Sequence, residues 1–150
     1  MKNNCVEISV FGERNYRLFL DIVKQELDIL GTADINAVQA FILLNINETA
    51  VTIGEIIARG YYIGSNASYN IKKMILNGYI KQTQSDYDKR AAFLRLTSKG
   101  LALCRKLHTV IDMHIKTFSP QNKGKGDLEQ CVSILKKVEH FWQDILSRRT

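Results

Sequence analysis

A single proline in 150 residues is the scarcity that shapes this chain most. With nine glycines as the other strong breakers, long uninterrupted helices follow, and collagen-like, proline-rich and many-turned sandwich architectures are excluded. The three cysteines, Cys5, Cys104 and Cys131, are odd in number and far apart; they make no disulfide framework and read as reduced thiols. No window approaches 18 consecutive apolar residues, and residues 1–15 lack the apolar core of a secretion signal. The expectation is a soluble, cytoplasmic protein without membrane contact. Catalytic signatures are missing as well: there is no phosphate-binding glycine loop, nucleophile elbow, zincin helix or dinucleotide fingerprint. Neither an enzyme nor a resident cofactor is expected.

What is present is an apolar fraction of 45% with 24% charged residues, enough for one domain with its own core. The formal net charge is +6, and its placement says more than its size. Residues 52–106 carry ten Lys or Arg against three Asp or Glu, whereas the rest of the chain holds eleven against twelve. The whole positive excess therefore lies in one contiguous segment, the electrostatic footprint of a nucleic-acid-binding module between neutral structural elements. A merely solvated lysine-rich face gives the same arithmetic, so charge alone does not decide.

Apolar spacing organises the chain around that segment. Tyr16, Phe19, Val23, Leu27 and Leu30 step by three or four, with Leu18, Ile22 and Ile29 as a second stripe, predicting a helix over residues 15–30 that Gly31 stops. Thr32 or Asp34 can cap a second helix reaching Ile46, apolar on most sides and so central. Thr52 and Glu55 have capping-box spacing for a third helix ending at Arg59 and Gly60. After a turn over residues 61–64, Ser65 can cap a fourth helix that Gly78 stops. Residues 79–84 and 91–96 read as a β-hairpin with a long polar tip. A long fifth helix starts at Thr97 or Ser98, residues 120–126 read as a loop opened by Pro120, and a sixth helix begins near Asp127.

The sixth helix places Leu128, Cys131, Leu135, Val138, Trp142 and Ile145 at alternating spacings of three and four. With the first helix and the end of the fifth, it carries more apolar surface than a small central unit can cover. The inference is a homodimer built by residues 1–31 and 107–150, with residues 32–106 as the binding lobe of a single domain. An intramolecular bundle is the alternative.

Short helix, tight turn, helix and charged hairpin, in that order, make a winged helix-turn-helix. The expected fold is mainly α with a small β hairpin, flanked by terminal dimerisation helices. On the fourth helix Ala67, Ile71, Met74 and Ile75 cluster within about 100° at 3.6 residues per turn and face the core. Ser65, Asn66, Tyr69 and Lys73 fall opposite, with Asn70 and Lys72 at the margins and Ser68 included among the outward candidates. Asn can pair with adenine through two hydrogen bonds, Ser with either kind of base edge, and Lys with guanine or phosphate, so this face suits a major groove. Lys89 and Arg90 at the hairpin tip suit the minor groove, Asp88 can orient Arg90, and Lys81 and Arg95 on the strands suit phosphates.

The wing residues Asp86, Asp88, Lys89 and Arg90, followed by Leu96, Thr97, Ser98, Lys99, Gly100 and a long helix, resemble the MarR family of bacterial transcription regulators over nearly the entire chain. The resemblance implies a homodimer on a pseudopalindromic double-stranded DNA operator, usually a repressor. It also implies a small phenolic or other apolar effector in a crevice between lobes, for which Phe41, Leu44, Tyr61 and Tyr62 are the candidate lining residues. Residues 61–74 are similar to an alphaproteobacterial subgroup of the family, the LdtR type. Two other readings stay open: a winged-helix module that docks an acidic protein without reading an operator, and a redox or metal sensor using Cys5, Cys131, or Cys104 with His108 four residues on.

Overall fold

The computed structural model describes residues 3–46, 50–60, 64–84, 92–122 and 125–148. In chain order these form α1 (Asn4–Ile29), α2 (Ala37–Ile46), β1 (Val51–Thr52), α3 (Ile53–Gly60), α4 (Gly64–Leu76), β2 (Ile80–Gln84), β3 (Ala92–Leu96), α5 (Ser98–Asn122) and α6 (Lys125–Ser147). The chain divides into two compact units, Met1–Thr109 and Val110–Thr150. Among the described residues no helix is long and apolar enough to cross a membrane.

The first unit is organised around α2. Apolar residues on nearly every side leave that helix with no exposed position, and Ile42, Leu43 and Ile46 are wholly buried. Val23 and Leu27 of α1, Ile56 of α3, Ile71 and Met74 of α4, Leu94 of β3 and Leu107 of α5 complete the core. Each such side chain contributes about 1.5–3 kcal/mol by leaving water. Antiparallel pairing in the order β1, β3, β2 makes a three-stranded sheet, with Lys81 directly opposite Arg95 and Val51 opposite Leu94.

Both glycine stops hold for the same reason. Gly31 and Gly78 adopt φ of 66° and 75°, where a side chain is strained, and the next amides turn back: Thr32 N–H donates to Leu27 O and Tyr79 N–H to Met74 O, each at 2.9 Å. Other boundaries differ from the spacing argument. Helix α1 begins at Asn4, eleven residues before the predicted start, because Asn3 caps it by accepting from Cys5 N–H at 3.0 Å; Cys5 lies in its first turn and not ahead of it. Helix α2 is capped by neither Thr32 nor Asp34 but by Asn36, whose Oδ1 accepts from Gln39 N–H while Gln39 Oε1 accepts from Asn36 N–H. Strand β1 was hidden under the residues read as a helix cap. Helix α5 continues to Asn122, past Pro120, and α6 starts at Lys125.

The second unit holds the end of α5 together with α6. None of residues 110–117 and 126–148 is buried. Leu128, Val132, Leu135, Phe141 and Trp142 are exposed, Phe141 by 52% and Trp142 by 41%.

Candidate nucleic-acid interface

The helix-turn-helix is α3 and α4. At the start of α3 the expected capping box is present: Thr52 N–H and Oγ1 donate to Glu55 Oε2 at 2.6 and 3.0 Å, and Glu55 N–H donates to Thr52 Oγ1 at 3.2 Å. These bonds hold the Glu55 carboxyl below its ordinary range and satisfy amides that a helix start leaves free.

Helix α4 is two-faced as its sequence requires. Ala67, Ile71 and Met74 are buried against the core, and Asn66, Tyr69, Lys72 and Lys73 are exposed, Tyr69 by 59%. Ser68 is half-buried, and the side chain of Ser65 lies outside the described residues. Tyr69 and Lys73 also line an open groove of about 500 Å³ with Asn36 and Asn77. Asn70 is the correction. It is only 6% exposed, so it cannot touch a base. At about 100° per residue it stands roughly 60° from Ala67, just beyond the edge of the core arc, and a buried partner on α2 accommodates it: Gln39 Nε2 donates to Asn70 Oδ1 at 3.1 Å.

On the wing, Lys81 and Arg95 are both exposed and directly opposed across the β2–β3 ladder. Opposed side chains share one face of the sheet, and like charges there repel. An anion between them would offset that repulsion. Asp86, Asp88, Lys89 and Arg90 lie outside the described residues.

Behind the interface, the Thr97-to-Gly100 piece anchors the end of α4 to the start of α5. Thr97 N–H and Oγ1 both donate to Tyr79 O, at 3.0 and 3.2 Å; the hydroxyl also donates to Gly78 O at 2.6 Å and accepts from Gly100 N–H at 3.2 Å. Asp34, in the α1–α2 loop, extends this junction. Its carboxylate accepts from Lys99 Nζ and from Tyr79 Oη at 2.6 Å each, its carbonyl accepts from Asn77 Nδ2, and Lys99 Nζ sits 4.1 Å from the Tyr79 ring centre. The Lys99 bond foremost, then the Tyr79 bond, hold the Asp34 carboxyl below its usual value.

A depressed folded-state value means stability that is fully present above the unfolded pKa of about 3.9 and is lost as pH falls through the lower folded value. Asp34 and Lys99 are each nearly half exposed, so solvent screening keeps the effect small. Asp34→Asn is expected to melt slightly below the parent at pH 7, the gap closing below about pH 4. A gap constant from pH 7 to pH 2.5 would contradict this assignment.

Of the four candidate effector-lining residues, Leu44 lines a cavity of about 120 Å³ with Leu43, Leu96, Leu101, Cys104, Arg105 and His108. Phe41 is not in that lining. It packs edge-on against Tyr16 and Phe19 of α1, ring centres 5.4 and 5.7 Å apart, while Tyr61 and Tyr62 lie outside the described residues. Cys104 is buried, and that burial pushes its thiol up to about 11, the opposite of what a reactive thiolate needs. Cys5 and Cys131 are exposed. Among the described residues no three His, Cys, Asp or Glu gather to hold a metal ion.

Residues 35–100 match the family model of a winged helix DNA-binding domain. Over 136 residues the chain is 35% identical to the exopolysaccharide II synthesis transcriptional activator ExpG of Rhizobium meliloti, covering 91% of this chain and 70% of that protein. Solved structures share the fold at low identity. An E. coli MarR mutant complexed with operator DNA has a TM-score of 0.68 at 19% identity, covering 91% of this chain and 96% of that one. The S. aureus MepR–DNA complex has a TM-score of 0.69 at 18% identity, covering 90% and 97%. The likeness of residues 61–74 to the LdtR type stays a resemblance. With its helix-turn-helix, cationic wing and long flanking helices, the chain belongs to the MarR family of winged-helix DNA-binding transcriptional regulators.

Proposed function

We propose that this chain acts as a homodimer that reads a pseudopalindromic operator through the exposed face of α4 in each subunit. The observation that carries the proposal is that face itself: Asn66, Tyr69, Lys72 and Lys73 are exposed opposite a buried apolar stripe. In this reading Lys81 and Arg95, exposed and opposite each other on β2 and β3, take backbone phosphates. Two such helices held about 34 Å apart enter successive major grooves, so any ligand that favours another spacing lowers affinity. Repression follows where the operator overlaps a promoter; the activator name of the R. meliloti relative fits an operator lying upstream of one.

A small apolar or phenolic acid fits the proposed effector role. The cavity beside Leu44 offers leucine walls with Arg105 and His108 available to a carboxylate.

Competition between tiled duplexes from beside the protein's own gene and random duplex tests the reading. The parent is expected to prefer one tile by well over tenfold, given about 1–3 kcal/mol per mismatched pair. Asn66→Ala should cut that ratio by about fivefold or more at the pairs it reads. Arg95→Ala should instead weaken all duplexes alike and lower the salt slope by about one. Equal affinity for every duplex would support a protein-docking module instead.

A further inference from the structure

Gln39 and Asn70 are the buried polar side chains among the described residues, and they bridge the central helix α2 to the reader helix α4. Nothing about packing requires amides there: two leucines would fill a similar volume without the cost of desolvating polar groups. Their hydrogen bonds form a directed chain. At one end the Asn36 backbone N–H, which can only donate, fixes Gln39 Oε1 as its acceptor at 3.1 Å. The amino end of Gln39 must then face Asn70, and it does, Nε2 to Oδ1 at 3.1 Å. That leaves Asn70 Nδ2 pointing along α4, where it donates to the Asn66 backbone O at 3.0 Å, a group that can only accept. The same Nδ2 lies 3.4 Å from Asn66 Oδ1. Because both ends of the chain are backbone groups of fixed polarity, neither amide can be turned over without breaking bonds at both of its ends.

We propose that the Gln39–Asn70 pair is a specificity-determining positioning element: it fixes the rotation of α4 against α2 and draws the Asn66 side-chain oxygen inward, so that Asn66 offers its amino group to the DNA. This rests on the operator-reading role proposed above. An asparagine free to use both ends pairs with adenine by donating to N7 and accepting from N6. An asparagine whose oxygen is turned toward Asn70 presents to the groove its amino group alone. It takes N7 of either purine and gains from guanine, which adds the O6 acceptor, where adenine sets a second donor against it. The base class assigned to Asn66 is therefore a purine read through N7, with guanine at least as good as adenine.

The test is selection of binding sites from a random duplex pool by the parent, by Asn66→Ala and by the double variant Gln39→Leu, Asn70→Leu, with melting curves for each. Replacing both amides leaves no orphaned polar side chain, and the Asn36 N–H that loses Gln39 Oε1 stands at an exposed helix start where water can take it, so the fold is expected to hold. At the position where Asn66→Ala loses preference, the parent should select purine with guanine not below adenine. The double variant should lose preference at that same position while its affinity for random duplex stays within about threefold of the parent's. A second measurement needs no core substitution: 7-deazapurine at that position should weaken the parent about fivefold or more and leave Asn66→Ala unchanged.

Selection of adenine over guanine by more than about fivefold would overturn the proposal. So would indifference of the parent to 7-deazapurine, or a double variant that keeps the parent's preferences. If the parent selects no sequence at all, operator reading itself fails and the proposal falls with it, an outcome distinct from a parent that selects a site the pair does not influence.

Discussion

Gly100→Ala is expected to lower stability by about 3 kcal/mol or more, the upper end of what overpacking costs. A Cβ at this position would sit 2.3 Å from Tyr79 O and 3.2 Å from its carbonyl carbon. The obstacle is backbone, and that backbone has little room to retreat. Tyr79 O accepts from both the amide and the hydroxyl of Thr97, the Tyr79 ring is buried, and its hydroxyl is bound to Asp34. To admit the methyl, α5 must pull away from the end of α4, breaking the junction that anchors the reader helix. For a chain of this size each kcal/mol shifts the melting temperature by about 2–4 °C, so a fall of about 6–12 °C or more is expected. Gly54→Ala is the matched control: its Cβ meets only Thr52 Oγ1 at 3.9 Å, and removing a helical glycine is neutral or stabilising by up to about 1 kcal/mol. A Gly100→Ala melting point within 2 °C of the parent would contradict this account of why the Thr97-to-Gly100 piece has its form.

Leu135→Glu is expected to dissolve the proposed dimer. Leu128, Leu135 and Trp142 recur every seventh residue along α6 and are exposed in the single chain, and none of residues 110–117 and 126–148 is buried. An apolar surface on that scale calls for a partner. In a twofold interface each substitution acts twice, and burying one leucine is worth about 1.5–3 kcal/mol. The lost burial alone therefore comes to about 3–6 kcal/mol, which raises the dimer dissociation constant by about 100-fold to 20,000-fold. A buried, unpaired carboxylate adds to that. Sedimentation at micromolar concentration should show monomers for Leu135→Glu and dimers for the parent and for Lys136→Ala, which lies off the stripe. A parent that sediments as a monomer, or a Leu135→Glu variant that stays dimeric, would contradict the assignment of this face.

Much of the fold was legible because single residues carry local physics. Gly31 and Gly78 end helices through left-handed turns, Thr52 and Glu55 cap reciprocally, and Ala67, Ile71 and Met74 orient α4. What escaped the sequence reading depended on contacts between distant positions. The first third of α1 has no core in its own chain: Val6, Val10 and Phe11 are exposed, so it shows no clean stripe, and Asn3 was the cap that marked its start. Strand β1 is two residues long and overlaps a helix cap. Asn70 stood at the margin of the helical wheel, where spacing does not decide; the overlooked signal was Gln39, a polar residue between Val38 and Ala40 in a mostly apolar helix, which requires a buried partner. Asp34 and Lys99 are 65 residues apart, and no local pattern joins them.

Hydroxyl-radical footprinting of the parent on the duplex it selects tests the central claim most directly. Two α4 helices related by a dyad should protect two matched patches whose centres lie about 34 Å, one turn of B-DNA, apart. A single unsymmetrical patch, or uniform protection without preference for any sequence, would contradict it.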